Sequence, residues 1–356
     1  MGAVLEVQLA HRLSRLDLDV GIEAGRETLA LVGPSGVGKT SVLRSVAGLL
    51  APDRGRIVHE GRTLLDTGAN VSVALEDRRV GMVFQDGALF PFLSVAGNVA
   101  YGIRRDRRSR RERTRRGAEV LERFGIAHLA RARPDELSGG ERRRVALARA
   151  VASDPGILLL DEPLTSLDPV TKAEVAAELG TRLGELNLPA ILVSHDFDDV
   201  LGLGDRVAVM EHGRIAQTGT PAELLESPAS AFVAALTGVN YFRGTAARRG
   251  DLTEVGGPDG SGPFFSTDRA EGPVGVVVRP WEVALSVARP DGSALNAVSG
   301  PVRRVTPVGN RARVSLDSRP PIVAEVTEES VRHLRLAPGM TLVATWKATG
   351  TRLVPM

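Results

Sequence analysis

Nine consecutive residues, Gly33, Pro34, Ser35, Gly36, Val37, Gly38, Lys39, Thr40 and Ser41, combine the types that handle phosphate. The glycines let the backbone turn where a Cβ would block it, so successive N–H groups can converge on one oxyanion. Lys39 is placed to reach the terminal phosphates of a nucleotide, and the Thr40 hydroxyl to hold Mg²⁺. The apolar run 28–32 before the loop reads as a buried strand, and 41–47 after it as a helix. The helix adds unpaired N–H groups and the positive end of its dipole. Strand, glycine-rich turn and helix together predict a nucleotide site.

Further along, acids and a histidine stand where strands end. The run 157–160 leads into Asp161 and Glu162, and the run 190–193 into Ser194, His195 and Asp196. At the carboxyl edge of a parallel sheet such residues reach the ligand crevice. Asp161 is then a candidate for the Mg²⁺ shell, Glu162 for polarising a hydrolytic water, and His195 for a γ-phosphate contact. Structural acids at strand ends are also common. Gln85 closes an expected strand, 78–85, where it could ligate Mg²⁺ or the attacking water. Leu137, Ser138, Gly139, Gly140 and Glu141 have capping-box spacing, so the helix that follows presents a second phosphate-binding N-terminus or is simply well capped. Ser166, Leu167 and Asp168 form an expected turn before a helix over 169–186. His11 is the only ring between Glu6 and Arg15; it either stacks on a base or lies exposed in a loop.

The elements that must carry these residues form more than one domain, since the chain has 356 residues. With no cysteine, a disulfide framework and thiolate metal sites are excluded, which suits a reducing compartment. No apolar run approaches the ~20 residues that cross a bilayer, and no cleavable leader is expected ahead of the first strand. Net charge is only +2, yet 42 of the 45 basic residues are arginine and three are lysine. Lys39 sits where a compact ammonium suits a phosphate; Lys172 falls on an expected helix surface. Nine arginines crowd 104–116 without interleaved aromatics, which reads as a solvated helix rather than a nucleic-acid surface. Residues 3–32 alternate as strands and 93–152 read as mostly helical. Residues 238–292, rich in Gly, Pro and Asp, read as a linker. Short strands over 302–305, 312–316, 322–326 and 341–346 predict a small β-barrel.

In order and spacing these motifs resemble the ATP-binding cassette (ABC) family: residues 33–40, Gln85, 137–141, 157–163, 166–168 and 194–196. The resemblance covers about 1–237 and implies an α/β nucleotide-binding domain with a mixed sheet and a helical subdomain near 86–153. It further implies a head-to-tail homodimer, in which Ser138, Gly139 and Gly140 of one subunit close over the loop of the other to sandwich ATP and Mg²⁺. Glu162 would be the general base, His195 the switch histidine, and Asp168 the link between the two sites. Two departures are Glu141, where glutamine is commoner, and the missing adenine-stacking aromatic. The chain looks like the separate motor of an importer. It would lie at the cytoplasmic face of the inner membrane, with a permease docked near 85–101 and an extracytoplasmic substrate-binding protein upstream. Residues 293–356 resemble the molybdate-binding β-barrel module of molybdate importer ATPases. That resemblance points to molybdate or tungstate as cargo and, with the donor types a tetrahedral dianion needs, to Ser293, Asn296 and Lys347 as oxyanion ligands; the alternative is a dimer-stabilising barrel that binds nothing, with Lys347 on its surface. A sulfate, ferric-iron or polyamine importer, or a nucleic-acid-linked ATPase, is the alternative.

Overall fold

The computed structural model describes residues 3–14, 16–103, 109–165, 169–257 and 260–356. It divides into two compact units, 1–221 and 222–356.

In the first unit the chain runs β1 (Leu5–Leu13), β2 (Leu16–Ala24), β3 (Thr28–Val32), α1 (Lys39–Ala47), β4 (Arg54–His59), β5 (Arg62–Asp66), β6 (Val71–Ser72) and β7 (Val80–Val83). Helices α2 (Val95–Tyr101), α3 (Arg110–Arg123) and α4 (Gly139–Ala152) follow. Then come β8 (Ile157–Asp161), α5 (Pro169–Leu186), β9 (Ala190–Ser194), α6 (Phe197–Leu203), β10 (Arg206–Glu211) and β11 (Arg214–Gly219). Eleven strands make one sheet in the order β6-β5-β4-β1-β2-β11-β10-β3-β9-β8-β7. Strands β10, β3, β9, β8 and β7 pair in parallel, while β1, β2, β4 and β5 form antiparallel hairpins. Every residue of β3, β8 and β9 is buried. This fits their unbroken apolar runs, as expected for parallel strands covered on both faces. Register sets the site: Val32 lies opposite Ser194, and Asp161 opposite Val193, so the three strands end level.

The expected helical stretch is α2, α3 and α4 with turns between them. Ser109 and Glu112 make a reciprocal capping box at the start of α3; residues 104–108 of the arginine run lie outside the described residues. Among the described residues no helix is long and apolar enough to cross a membrane.

The second unit takes in most of α7 (Pro221–Glu226), then α8 (Ala231–Thr237), β12 (Asn240–Arg249), β13 (Leu252–Gly256), β14 (Phe264–Ser266), β15 (Gly272–Val278), β16 (Ala284–Ser286) and β17 (Asn296–Val308). It ends with β18 (Arg311–Leu316), β19 (Ile322–Thr327), α9 (Glu328–Leu334), β20 (Thr341–Trp346) and β21 (Thr351–Pro355). Two five-stranded antiparallel sheets result, β14-β13-β12-β15-β21 and β16-β20-β17-β18-β19. The expected linker is therefore corrected: 238–292 carries β12 to β16. Phe242, Val255, Phe264 and Val276 from this stretch share one buried core with Val314, Leu342 and Trp346. Gly244 and Gly275 in it serve close packing. A Cβ on Gly275 would stand 2.7 Å from the Tyr241 hydroxyl. The boundary expected at 237 also moves, because Ala234 of α8 packs with Val239, Val277 and Val354.

Candidate functional site

The phosphate loop leaves β3 at Val32 and re-enters regular structure at α1, whose N-cap is Gly38 in the left-handed region at φ 103°. Gly33 is required by space: a Cβ there would lie 2.4 Å from the Met210 carbonyl oxygen. Pro34, Ser35 and Gly36 are exposed, Thr40 and Ser41 half-buried, and the Val37 side chain belongs to the core, so only its backbone can serve a ligand. Lys39 is 6% exposed, and its Nζ donates to the carbonyls of Gly33 at 2.7 Å and Pro34 at 2.9 Å. Burial pushes its pKa below the ordinary lysine value, against Glu162 and Asp161, which pull it up. The ammonium is thus held inside the loop on two neutral carbonyl oxygens that phosphate oxygens can replace.

At the ends of β8 and β9 the expected acids and histidine come together. Thr40 Oγ1 donates to Asp161 Oδ1 at 3.1 Å. Burial raises the Asp161 carboxyl above the usual range; the Thr40 bond opposes this and the Glu162 charge adds to it. A half-buried hydroxyl beside a buried carboxylate fits a hydrated Mg²⁺ that takes few protein oxygens. Glu162 follows the strand at φ 48°, a conformation uncommon outside glycine. That turn brings its Oε2 to 3.5 Å from His195 Nδ1 and within 3.1 Å of the Thr165 hydroxyl, which donates to it. Strand alternation alone predicts opposite faces for Asp161 and Glu162; the left-handed turn sets the direction instead. Thr165 escapes a sequence reading, since a threonine three residues after an acid is an ordinary spacing.

Gln85 lies past the end of β7, exposed, two residues beyond Val83. The expected strand is therefore shorter than 78–85. Its loop is tied down by Arg149 of α4, which donates to the carbonyls of Gly87 at 2.9 Å and Ala88 at 2.7 Å. Ser138 caps α4. Its N–H and hydroxyl donate to Glu141 Oε2, both at 2.8 Å, and the Glu141 N–H donates back to Ser138 Oγ at 3.3 Å. The Ser138 N–H, and then its hydroxyl, hold the Glu141 carboxyl below the usual range. Ser138 and Gly139 are exposed and Gly140 half-buried. Among the described residues no hydrogen bond or ion pair joins this helix start to the 33–41 loop. Asp168 lies outside the described residues.

Other expectations change. His11 is a β1 residue whose side chain is 17% exposed, with Nδ1 3.2 Å from Asp53 Oδ2, so it is not an exposed loop histidine. Lys172 is no idle surface residue: Nζ pairs with Asp196 and, at 2.6 Å, with Asp199. The three expected oxyanion ligands do not act alike. Asn296 is fully buried and its amide is committed: Oδ1 accepts from the Phe265 N–H at 2.6 Å, and Nδ2 donates to the Phe265 carbonyl and Thr351 Oγ1. It is a structural clamp between β14 and β21, and its place in an oxyanion site is withdrawn. Ser293 and Lys347 are exposed.

The sequence of residues 16–165 matches the family described as ABC transporter, and 292–353 the TOBE domain. The molybdenum import ATP-binding protein ModC of Mycobacterium tuberculosis is 39% identical over 353 residues, covering 96% of this chain and 94% of the relative. The sulfate/thiosulfate import ATP-binding protein CysA of Burkholderia mallei is 38% identical over 93% of each chain. The molybdate/tungstate import ATP-binding protein WtpC of Pyrococcus abyssi is 34% identical over 96% of each. With a phosphate loop, a hydroxyl–carboxylate pair and a glutamate–histidine pair level at one sheet edge, the chain belongs to the ABC transporter family, as the ATPase of an importer.

Proposed function

We propose that this ATPase works as a head-to-tail homodimer that drives import of a tetrahedral oxyanion, molybdate or tungstate, through a separate membrane permease. The observation that carries the dimer is the α4 start: a capped, exposed helix N-terminus unattached to its own phosphate loop. A second copy gives those N–H groups an anion to face. Within one copy, Gly33 to Ser41 cradle the phosphates and Lys39 exchanges carbonyl for phosphate contacts. Thr40 and Asp161 hold Mg²⁺, which when bound offsets phosphate charge. Glu162 accepts the proton of the attacking water, and His195 steadies that carboxylate and the γ-phosphate.

The permease contact falls on the loop after Gln85. Phe92 is 73% and Tyr101 63% exposed. Both rings lean on Phe90, with centroids 5.7 and 4.5 Å away. An exposed aromatic cluster of this kind fits a partner helix, and it would hold the chain at the cytoplasmic face of the membrane. An extracytoplasmic binding protein would deliver the oxyanion to the far side of the permease. Cargo rests on the relatives named for molybdenum and molybdate/tungstate import; the sulfate/thiosulfate relative of nearly equal identity keeps sulfate as the second reading. Uptake of molybdate and sulfate by cells with and without the chain decides between them. Molybdate accumulation that depends on the chain is expected, and chain-dependent sulfate accumulation alone would reverse the assignment.

A further inference from the structure

The turn that carries His195 is clasped from outside by one side chain. His195 lies between Ser194, the last residue of β9, and Asp196, the N-cap of α6, whose side chain accepts from the Asp198 N–H at 3.0 Å. Ser194 Oγ accepts from the Asp196 N–H at 3.0 Å and donates to Asp199 Oδ2 at 2.8 Å. Lys172, three residues into α5, closes the ring: its Nζ pairs with Asp196 Oδ2 and with Asp199 Oδ1 at 2.6 Å. Asp199 is 7% exposed and Ser194 2%, whereas the Lys172 and Asp196 side chains keep 26% and 36%, so the inner half of the network is shielded from water. Burial works against the Lys172 charge, but the hydrogen bonds and charges of Asp196 and Asp199 outweigh it, and its pKa stands above the ordinary lysine value. The same ammonium holds Asp196 below the usual carboxylate range, against its burial.

Residue choice fits this geometry. A chain with 42 arginines and three lysines uses lysine at the phosphate loop and again here, where two carboxylates converge on one nitrogen. An ammonium turns its three donors freely about one compact centre, whereas a guanidinium holds its donors in a rigid plane. We infer that Lys172 is a positioning residue for the ATPase reaction: by joining Asp196 and Asp199 it fixes the turn that keeps His195 beside Glu162. His195 is 53% exposed and stands 3.5 Å from Glu162, so among the described residues the turn that carries it sets where the ring lies. Small displacements of a catalytic group are costly in rate, on the order of a hundredfold for 1 Å.

This inference rests on the role given to His195, and the test keeps the two separable. ATP turnover and nucleotide-binding stoichiometry are measured on the full chain for Lys172→Met, Lys172→Arg, Asp199→Asn and His195→Ala. Lys172→Met is expected to lower kcat about ten- to a hundredfold per bound nucleotide, with KM for ATP little changed. Lys172→Arg should fall between that variant and wild type, and Asp199→Asn should show the same split should Lys172→Met not fold. A purely structural role would instead reduce the number of nucleotide-binding sites at unchanged turnover per site, which overturns the inference. Wild-type kcat in Lys172→Met or Asp199→Asn beside a slow His195→Ala overturns it alone. Wild-type kcat in His195→Ala removes the role of the histidine and the clasp together.

Discussion

Glu162 Oε2 and His195 Nδ1 stand 3.5 Å apart although they leave different strands, β8 and β9. Parallel pairing of those strands sets their ends level, and the left-handed turn at Glu162 aims the carboxylate across. The carboxylate also accepts from Thr165, so its orientation is fixed from two sides.

Glu162→Gln keeps the shape but removes the proton acceptor. ATP hydrolysis should fall about 10²–10⁴-fold while nucleotide binding persists. A closed dimer should accumulate with ATP on a sizing column. Turnover near wild type would take Glu162 out of the base role.

If Ser138 and Gly139 serve the neighbouring copy, two differently damaged copies should repair one another. Lys39→Ala disables the loop, and Gly139→Trp blocks the exposed helix start. Each homodimer should be inactive, whereas a purified mixed dimer keeps one site with neither lesion and should turn over ATP well above both parents. A mixed dimer as dead as its parents would argue that each copy builds its own site.

Asp161 has a linkage signature. Its carboxyl is raised above the ordinary 3.8, so the folded chain binds its proton more tightly than the unfolded chain. The resulting stability is fully present below 3.8 and is lost as pH rises through the raised folded value. Asp161→Asn should therefore leave the nucleotide-free protein at least as stable as wild type at neutral pH, while Mg²⁺-dependent hydrolysis collapses. Paired thermal melts and ATPase assays check this; a destabilised Asp161→Asn at pH 7 would contradict it.

Arg78 is 4% exposed and pairs with carbonyls: Nη1 donates to Ser45 O at 2.8 Å and Val46 O at 3.1 Å, and Nε to Val73 O at 2.9 Å. It thus caps the end of α1 away from the phosphate loop, where a cation also suits the dipole. Arg78→Met takes the guanidinium from the Val46 and Val73 carbonyls, while Ser45 O keeps the Gly48 N–H, and should cost about 2–4 kcal/mol. Denaturant melts read this directly, and a change within about 0.5 kcal/mol would show that water replaces the guanidinium.

The nucleotide site was legible in the chain because its requirements are local. Gly38 is demanded by its own left-handed backbone, Lys39 and Thr40 by the first turn of α1, and Ser138 with Glu141 by the unpaired N–H groups of one helix. Local backbone needs leave fixed residue types at fixed spacing. What folding alone settled depends on residues far apart in the chain. The glycines of 238–292 read as looseness until Gly275 meets Tyr241 across a strand pair. Asn296 has the type of an anion ligand, but its amide is used up by Phe265 and Thr351. Lys172 has the type of a surface residue, yet it gathers two carboxylates from α6 and its cap. Polar side chains can serve a ligand or the fold, and only the positions of their partners, set by long-range packing, decide between them.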